Sequence, residues 1–266
     1  MPLLKTVCLI HCLILVLFVV PPSAAQSVTL DVPEGNPGRP TVSTPATLTP
    51  TGYLQFETGL LDANHSPEFS SRLGLNEVIK LTVVPRLQFI ASSEPFVHSR
   101  AEGITVNGTA EVFLGAQAVL FHGESSKPTI SISYFRRVYD GGAPEIDIGS
   151  SRNSVTLLAS ADVKGFHYDV NGLFSEQTGG AVSRGQFGQT LSISHHLAGK
   201  FLLSGEIWHF TQPFIRSNAV GNLWALSYAP RNNLVLDAGF NHGLTNTSTR
   251  WEVFAGFTYL LPHRLW

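Results

Sequence analysis

Hydrophobic and polar residues alternate with a period of two along most of the chain that follows Pro50. Leu81 and Phe89, for example, belong to an apolar set that alternates with a polar set containing Lys80 and Gln88. Successive side chains of a β-strand point to opposite faces, so the pattern predicts strands with one apolar and one polar face. No segment has the periodicity of an amphipathic helix. Twelve strands are predicted, at about 51–60, 68–76, 78–91, 109–122, 127–140, 152–163, 164–176, 186–198, 200–211, 220–230, 233–242 and 250–260.

The connections between the predicted strands alternate in length. Short turns are predicted at 76–77, 123–126, 164, 198–199 and 231–232, and longer polar loops at 61–67, 92–108, 141–151, 177–185, 212–219 and 243–249. Outer-membrane barrels have tight turns at the periplasmic rim and longer loops at the extracellular rim. A secreted, soluble β-sandwich has the same alternation of faces but no reason for alternating loop lengths. The pattern therefore favours an all-β fold, a closed antiparallel transmembrane β-barrel of about 12 strands, with the sandwich as the alternative.

Residues 1–25 have the pattern of a secretory signal peptide. Lys5 precedes an apolar run over residues 7–20, and small residues follow as far as Ala25, where cleavage is expected. A single membrane anchor is the alternative, but a spanning helix needs about 20 apolar residues and prolines end this run. The sequence therefore predicts export from the cytoplasm, and the strand pattern predicts an outer-membrane location.

The amino-acid composition excludes several kinds of binding and catalytic site. Only 14% of the residues are charged and the formal net charge is −2, which with no run of Lys or Arg excludes nucleic-acid binding through many phosphate contacts. Both cysteines, Cys8 and Cys12, lie in the predicted signal peptide. The predicted mature chain therefore has no disulfide, no cysteine nucleophile and no thiolate metal ligand. Neither a cofactor nor a metal is predicted.

A proline-rich segment separates the signal peptide from the first strand. Residues 26–50 carry prolines spaced so closely that neither a helix nor a strand ladder is expected, which predicts an extended arm. The arm either extends into the periplasm or folds back as a partial plug. The predicted organisation is a signal peptide at 1–25, an arm at 26–50 and a transmembrane β-barrel at 51–266.

The start of the barrel resembles a known family. The stretch 39–59 contains Arg-Pro, Thr-Pro, Pro-x-Gly and Gln-x-Glu elements in order, and 72–81 begins with Arg-x-Gly-Leu. These motifs resemble an outer-membrane transporter family of the phenol meta-degradation pathway, although Gly38 stands where that family commonly has an acidic residue. The resemblance implies a barrel of about twelve strands, a second hairpin within 72–81 and uptake of hydrophobic or aromatic compounds. It implies no particular substrate residues.

Strand parity places a set of ionisable residues on the face opposite to lipid. These lumen-lining candidates are Glu57, Arg72, Lys80, Arg86, Glu111, Arg137, Asp162, His167, Asp169, His196, Glu206, Asp237 and Glu252. In a narrow barrel they either pair as structural ion pairs or form a polar path that orients a solute. Arg72, Lys80, Arg86 and Arg137 are the basic candidates for such a path.

One group has the residue types of a hydrolase. The predicted hairpin brings His167 opposite Ser194, with Asp169 on the same face, which suits a nucleophile, a base and an orienting carboxylate. A lipid hydrolase needs its serine to face the lipid, however, whereas parity turns Ser194 inward, and no Gly-x-Ser-x-Gly motif occurs. The neighbouring His195 and His196 point to opposite faces of a strand and cannot chelate one metal ion. No enzyme activity is predicted.

Two functions fit these features. The first is a monomeric, porin-like outer-membrane channel or transporter through which small, hydrophobic or aromatic solutes pass passively. The second is a non-transporting barrel with a structural or adhesion role through its extracellular loops. The predicted partners are a small-molecule solute, outer-membrane lipid and the outer-membrane assembly machinery, which would recognise the glycine, aromatic and hydrophobic pattern of 256–261 in the last strand.

Overall fold

The computed structural model describes residues 32–124, 126–143, 151–179 and 182–266. The predicted signal peptide at 1–25 and the first residues of the arm, 26–31, lie outside the described residues, as do parts of the predicted loops at 141–151 and 177–185. Within the described ranges, no helix is long and apolar enough to cross a bilayer.

The described residues form thirteen β-strands, joined in one antiparallel sheet. In chain order they are β1 (Leu54–Asn64), β2 (Ser71–Val84), β3 (Leu87–Ala101), β4 (Ile104–Gly108), β5 (Val112–Phe121), β6 (Thr129–Tyr139), β7 (Ser151–Val163), β8 (Phe166–Gly179), β9 (Val182–His196), β10 (Phe201–Gln212), β11 (Ser217–Arg231), β12 (Leu234–Gly243) and β13 (Trp251–Leu260). Twelve of them make the wall, while the short β4 pairs with the outer half of β3 alone.

The sheet closes on itself. The first strand β1 pairs with the last strand β13, with Gln55 opposite Leu260, and also with β2 on its other side. Closure pairs each of the twelve described wall strands on both sides, which a lipid environment requires because lipid offers the backbone no hydrogen bonds. The predicted closed antiparallel 12-stranded barrel is confirmed. The wall begins at Leu54 and ends at Leu260 on the same rim, which we call the periplasmic rim, and we call the other the extracellular rim.

The two faces of the wall are reversed relative to a soluble protein. Lys80 and Gln88 are buried inside, whereas Phe89, the neighbour of Gln88, is 51% exposed on the outside. The same holds around the barrel: serine, threonine and glutamine residues are buried on the inner face of the wall, and leucine, valine and phenylalanine residues are exposed on its outer face. A soluble sandwich would bury the apolar set, so this arrangement fits a barrel whose outer face meets hydrocarbon.

The turn predicted at 76–77 is wrong. Asn76 lies within β2, opposite Gly59 of β1, and the strand continues to Val84. The turn lies at Pro85 and Arg86, because proline cannot donate a hydrogen bond to the ladder and ends the strand. The second hairpin implied for 72–81 is therefore also wrong, since that segment belongs to one strand.

Arg86 is consequently not a lumen residue. Its predicted inward position follows from continuing a strand through residue 86, whereas it lies exposed in the turn between β2 and β3. Its carbonyl accepts the backbone N–H of Val119 at 3.0 Å, which fixes the turn against β5.

The loop predicted at 92–108 is largely a hairpin. β3 continues to Ala101, and β4 pairs back on it after the two-residue turn Glu102–Gly103. Both turn residues have positive φ, 48° and 81°, as a turn that matches the twist of its strands requires. Lys164 and Gly165 make the same kind of turn between β7 and β8, where a turn was predicted, with φ of 53° and 84°.

Candidate functional site

The interior of the barrel contains residues 33–50, which we call the inner arm. It starts at the periplasmic rim, where the Gly35 N–H donates to the carbonyl of Asn232 at 2.9 Å. It reaches Ser43, which is fully buried at the level of the middle of β10. It returns to the same rim, where the Thr49 N–H donates to Gln88 at 2.9 Å. The inner arm has no regular secondary structure, as its prolines predict.

Glu206 on β10 holds the turning point of the inner arm. Its carboxylate accepts hydrogen bonds from the N–H of Val42 at 2.7 Å, the N–H of Ser43 at 2.6 Å and the hydroxyl of Ser43 at 2.5 Å. The Ser43 hydroxyl also lies 2.7 Å from the hydroxyl of Thr190 on β9. A buried carboxylate is costly unless it is fully hydrogen-bonded, and here the inner arm supplies three donors.

Two further carboxylates hold the first half of the inner arm. Asp237 on β12 forms an ion pair with Arg39 at 3.1 Å, and its side chain is only 1% exposed. Glu57 on β1 accepts the Gly38 N–H at 3.0 Å and also forms an ion pair with Lys80 on β2. Carboxylates on β1 and β12, the two neighbours of β13, therefore bind the successive residues Gly38 and Arg39.

Neutral side chains of the wall bind the second half of the inner arm. The Thr44 N–H donates to Asn171 on β8 at 2.6 Å, and the Ala46 N–H donates to Ser160 on β7 at 2.7 Å. On β5, two strands along the wall from β7, the amide of Gln117 donates to the carbonyl of Pro45 at 3.0 Å. Because residues 42–49 of the inner arm pair with no strand, these wall side chains satisfy their buried polar groups.

Replacement of Glu206 by alanine is expected to loosen the inner arm without unfolding the barrel. The substitution removes the acceptor of three hydrogen bonds, and hydrogen bonds to a charged group contribute about 1.5–3 kcal/mol each. Amide hydrogen exchange followed by mass spectrometry should show at least a roughly tenfold loss of protection around Val42 and Ser43. Glu176→Ala is the control, because Glu176 bonds to Asn153 and Ser183 instead. Unchanged protection in Glu206→Ala would show that this carboxylate does not hold the inner arm.

Cavities lie on both sides of the inner arm. The periplasmic cavity has a volume of about 700 Å³ and is lined by inner-arm residues and by the predicted candidates Asp162, His167, Asp169 and His196. The outer cavity has a volume of about 270 Å³ and lies toward the extracellular rim, with Val42 of the inner arm at its base. The inner arm therefore separates two spaces along the barrel.

Glycines opposite aromatic residues shape the outer cavity. Phe135 on β6 pairs with Gly115 on β5, and Phe210 on β10 pairs with Gly188 on β9. A Cβ atom at either glycine would collide with the ring of its partner, so each ring lies flat against the wall. The paired glycines thereby keep space open within the barrel, because side chains at these positions would push the rings toward its axis.

Three of the four basic candidates form ion pairs. Lys80 pairs with Glu57, Arg137 pairs with Glu111 and with Asp140 at 2.9 Å, and Arg72 pairs with Glu94. The predictions did not include Glu94, because it falls in the predicted loop at 92–108.

The other acidic candidates are placed as follows. Glu206 and Asp237 contact the inner arm, and Glu252 accepts a hydrogen bond from the amide of Asn241 at 3.1 Å. Arg39, which belongs to the Arg-Pro motif, was not among the lumen-lining candidates, because its pairing with Asp237 depends on the position of the inner arm.

The predicted hydrolase-like group lacks the contact that a catalytic triad needs. Ser194 lies opposite His167 in the β8–β9 ladder, but its hydroxyl bonds to Ser204 at 2.8 Å. Both ring nitrogens of His167 instead contact carboxylates, with Asp162 at 2.8 Å and Asp169 at 3.2 Å. His167 therefore has no nitrogen directed at the serine. Among the described residues, no group of three His, Cys, Asp or Glu side chains is placed to hold a metal ion.

Solved structures share this architecture. An outer membrane channel from Pseudomonas putida F1 aligns with a TM-score of 0.59 at 10% sequence identity, covering 81% of this chain and 98% of the channel. The NanC porin aligns with a TM-score of 0.54 at 9% identity, covering 77% and 98% of the two chains. The fold is that of an outer-membrane β-barrel. No family model and no curated protein matches the sequence.

The KdgM porin aligns in the same way, with a TM-score of 0.52 at 11% identity over 78% of this chain and 98% of the porin. At such low identity these likenesses describe the fold and not the solute. They agree with the predicted outer-membrane location, as does the apolar outer face of the wall.

Proposed function

We propose that this protein is a monomeric outer-membrane channel through which small hydrophobic or aromatic solutes pass passively. The observation that carries the proposal is the inner arm, a single extended segment held in the lumen of a closed barrel by hydrogen bonds and ion pairs. Such contacts can exchange for contacts with water, so displacement of the inner arm would join the periplasmic cavity to the outer cavity. The solute would move from the outer cavity, past the inner arm, into the periplasm.

The proposed solute class has two supports. The motifs in 39–59 resemble a transporter family of the phenol meta-degradation pathway, and phenylalanine and leucine side chains form part of the lining of the outer cavity, beside serine and threonine residues. The ion pairs of Arg72, Lys80 and Arg137 also favour an uncharged solute, because these cations already have anionic partners. The names of the solved barrels with this fold, a channel and porins, agree with a transport role.

Uptake by liposomes tests the proposal. Full-length protein in liposomes is expected to speed the entry of small aromatic compounds relative to sugars of similar size, because the outer cavity offers apolar contacts. Comparison of aromatic acids, alkanes and sugars, with protein-free liposomes as the control, measures this selectivity. Planar bilayers should show small, discrete conductance steps. Electrical silence together with no uptake of any solute would contradict the channel.

The alternative is a barrel that does not transport and acts in the envelope through its extracellular loops. The favouring observation is that the inner arm and the ion pairs around it fill much of the lumen. Silence of both the full-length protein and a variant without the inner arm would support this alternative.

Assembly is proposed to follow the usual outer-membrane route. The last strand β13 closes the barrel by pairing with β1, and its outward residues include Phe257 and Val253. Phe254 of the same strand points inward and is 6% exposed. We propose that the assembly machinery recognises the outward set of this strand.

A further inference from the structure

A cation lies at every described turn of the periplasmic rim. These turns join β2 to β3, β5 to β6, β7 to β8, β9 to β10 and β11 to β12, and a tail follows β13 where the sheet closes. Each of these places carries one lysine or arginine, in the turn or at its edge, and each of these residues is exposed. We call the set the basic rim. It consists of Arg86, Lys127, Lys164, Lys200, Arg231 and Arg264.

Few carboxylates balance the basic rim. The described acidic residues at this end of the barrel are Glu34 of the inner arm, Glu124 and Asp162. Among the described residues, no cation of the basic rim forms an ion pair, whereas the lumen cations Lys80 and Arg137 both do. Positive charge therefore exceeds negative charge at the described part of this rim, and the excess is available to an anionic partner.

The extracellular rim has a different balance of charge. Exposed carboxylates lie among its arginines, and Glu102, for example, is two residues from Arg100. Opposite charges at such short spacing cancel much of each other's field, because the field of an exposed pair is screened within about 10 Å. The exposed carboxylates on the described part of this rim include Asp62, Glu68, Glu102 and Asp140.

Outward aromatic side chains lie next to the basic rim. Phe166 follows the turn that contains Lys164, and Phe201 directly follows Lys200; the two rings are 40% and 42% exposed. Phe201 also stacks on Tyr228 of β11, with ring centroids 4.8 Å apart. Aromatic girdles mark the boundary between hydrocarbon and headgroups in outer-membrane barrels. A strand advances about 3.3 Å per residue, so cations one or two residues beyond these rings lie at the level of the lipid phosphates.

The distribution of the cations favours a partner that surrounds the barrel. They recur at every second strand junction around the wall, whereas a protein docked on one side would contact only a few of them. Of the six, only Lys200 lines the periplasmic cavity, so the set is not arranged to guide a solute into the lumen. The headgroups of the periplasmic leaflet are the partner that meets every turn.

We propose that the basic rim binds the phosphate groups of anionic phospholipids in the periplasmic leaflet. Lysine and arginine residues near an anionic membrane surface each add to the attraction, and the attraction falls off within a Debye length. Bound headgroups on all sides would hold the barrel at a fixed depth in the leaflet. The inference does not depend on the passage of a solute.

Quenching of tryptophan fluorescence by brominated lipids tests the proposal. The full-length protein is placed in phosphatidylcholine vesicles that contain rising fractions of brominated phosphatidylglycerol or brominated phosphatidylcholine. Trp224 reports lipid at the wall, because it is 49% exposed on the outer face. The affinity for phosphatidylglycerol relative to phosphatidylcholine is expected to be about three- to tenfold in low salt. It should approach one in roughly 1 M NaCl, where the screening length is only about 3 Å.

A neutral variant locates the effect at the basic rim. Arg86→Gln, Lys127→Gln and Arg231→Gln are combined, since these side chains are exposed and form no ion pair with a described residue. The relative affinity for phosphatidylglycerol should fall about two- to threefold, because half of the cations are lost. Heat-dependent gel mobility reports the fold. If the triple variant does not fold, the salt dependence of the wild type still tests the proposal.

The extracellular rim supplies the matched control. Arg100→Gln, Arg216→Gln and Arg250→Gln together remove the same charge from exposed positions at the other end of the barrel. Their neighbours include the carboxylates Glu68 and Glu102, so these arginines attract anionic headgroups less strongly. The control should therefore retain the relative affinity of the wild type within about 1.5-fold.

The outcomes separate lipid binding from other uses of the same charge. A relative affinity near one in low salt would overturn the proposal, and so would equal losses in the basic-rim variant and the control. A variant that keeps its lipid preference but changes the reversal potential would show that the cations act on ions at the lumen instead. A salt-dependent preference that only the basic-rim variant loses supports the proposal even if the protein is electrically silent, which would contradict the channel alone.

Discussion

Deletion of residues 33–50 is expected to raise the single-channel conductance several-fold. These residues occupy the lumen between the periplasmic and outer cavities and contact side chains from most of the wall strands. Their removal leaves polar residues such as Glu206, Asn171 and Gln117 facing an open lumen, which water can fill. The deletion retains the predicted export segment, so the variant should reach the membrane by the same route.

A reversible cross-link provides the matched control for this deletion. The hydroxyls of Ser43 and Thr190 lie 2.7 Å apart, and the two cysteines of the chain fall in the predicted signal peptide. Ser43→Cys combined with Thr190→Cys should therefore form one disulfide that ties the inner arm to β9. With the disulfide formed, the double variant is expected to show no channel openings above its baseline conductance. Reduction of the disulfide should restore the channel openings of the wild type. The single variant Ser43→Cys should not respond to reduction.

These two variants distinguish an inner arm that acts as a movable plug from one that is a permanent part of the barrel. If the inner arm closes the lumen, the deletion conducts more than the wild type and the oxidised cross-link conducts less. Equal conductance in the deletion, the cross-linked variant and the wild type would refute the plug. Gel mobility of the folded and heated deletion variant checks that its barrel still forms.

The architecture was accessible from the sequence because its signals are local. Alternation such as Lys80, Leu81 and Thr82 indicates which side chains share a face, and the structure buries the first and third of these. The prolines of the arm exclude a helix or a ladder wherever the segment lies. Whether the arm extends from the barrel or enters it depends on wall partners such as Asp237, and no local pattern identifies them.

The misplaced turn illustrates a competing local signal. Asn76 is a common turn residue, and the neighbouring polar residues interrupt the apolar pattern of β2. Pairing with β1 nevertheless holds Asn76 in the ladder opposite Gly59. The proline at 85 was the better turn signal. Because of this one misplaced turn, the prediction put Arg86 inside the barrel and assigned Glu94, the partner of Arg72, to a loop.

The outer cavity was inaccessible from the sequence for a different reason. It exists because Gly115 lies opposite Phe135 and Gly188 lies opposite Phe210, and such pairs depend on the register between strands. A shift of one residue in either register would place the ring beside a different residue and turn it to the other face.

A positive charge on the outer face is expected to destabilise the barrel by an amount that depends on depth. Leu157 lies in the middle of β7 and is 54% exposed on the outer face, and Val163 lies at the periplasmic end of the same strand and face. Arginine at the bilayer midplane costs about 2–4 kcal/mol in a transmembrane barrel, and near the interface about 0–1 kcal/mol. Leu157→Arg should therefore lower the free energy of unfolding by the larger amount and Val163→Arg by the smaller.

Urea unfolding in lipid vesicles measures this difference, with tryptophan fluorescence reporting the folded fraction. The depth dependence arises because an arginine near the rim extends its side chain to the headgroups, whereas one at the midplane cannot do so without disturbing the lipid. A water-exposed surface would tolerate both substitutions within about 0.5 kcal/mol. Equal small costs for Leu157→Arg and Val163→Arg would therefore mean that the apolar face of β7 does not meet hydrocarbon, and the reversed pattern of buried polar residues would need another cause.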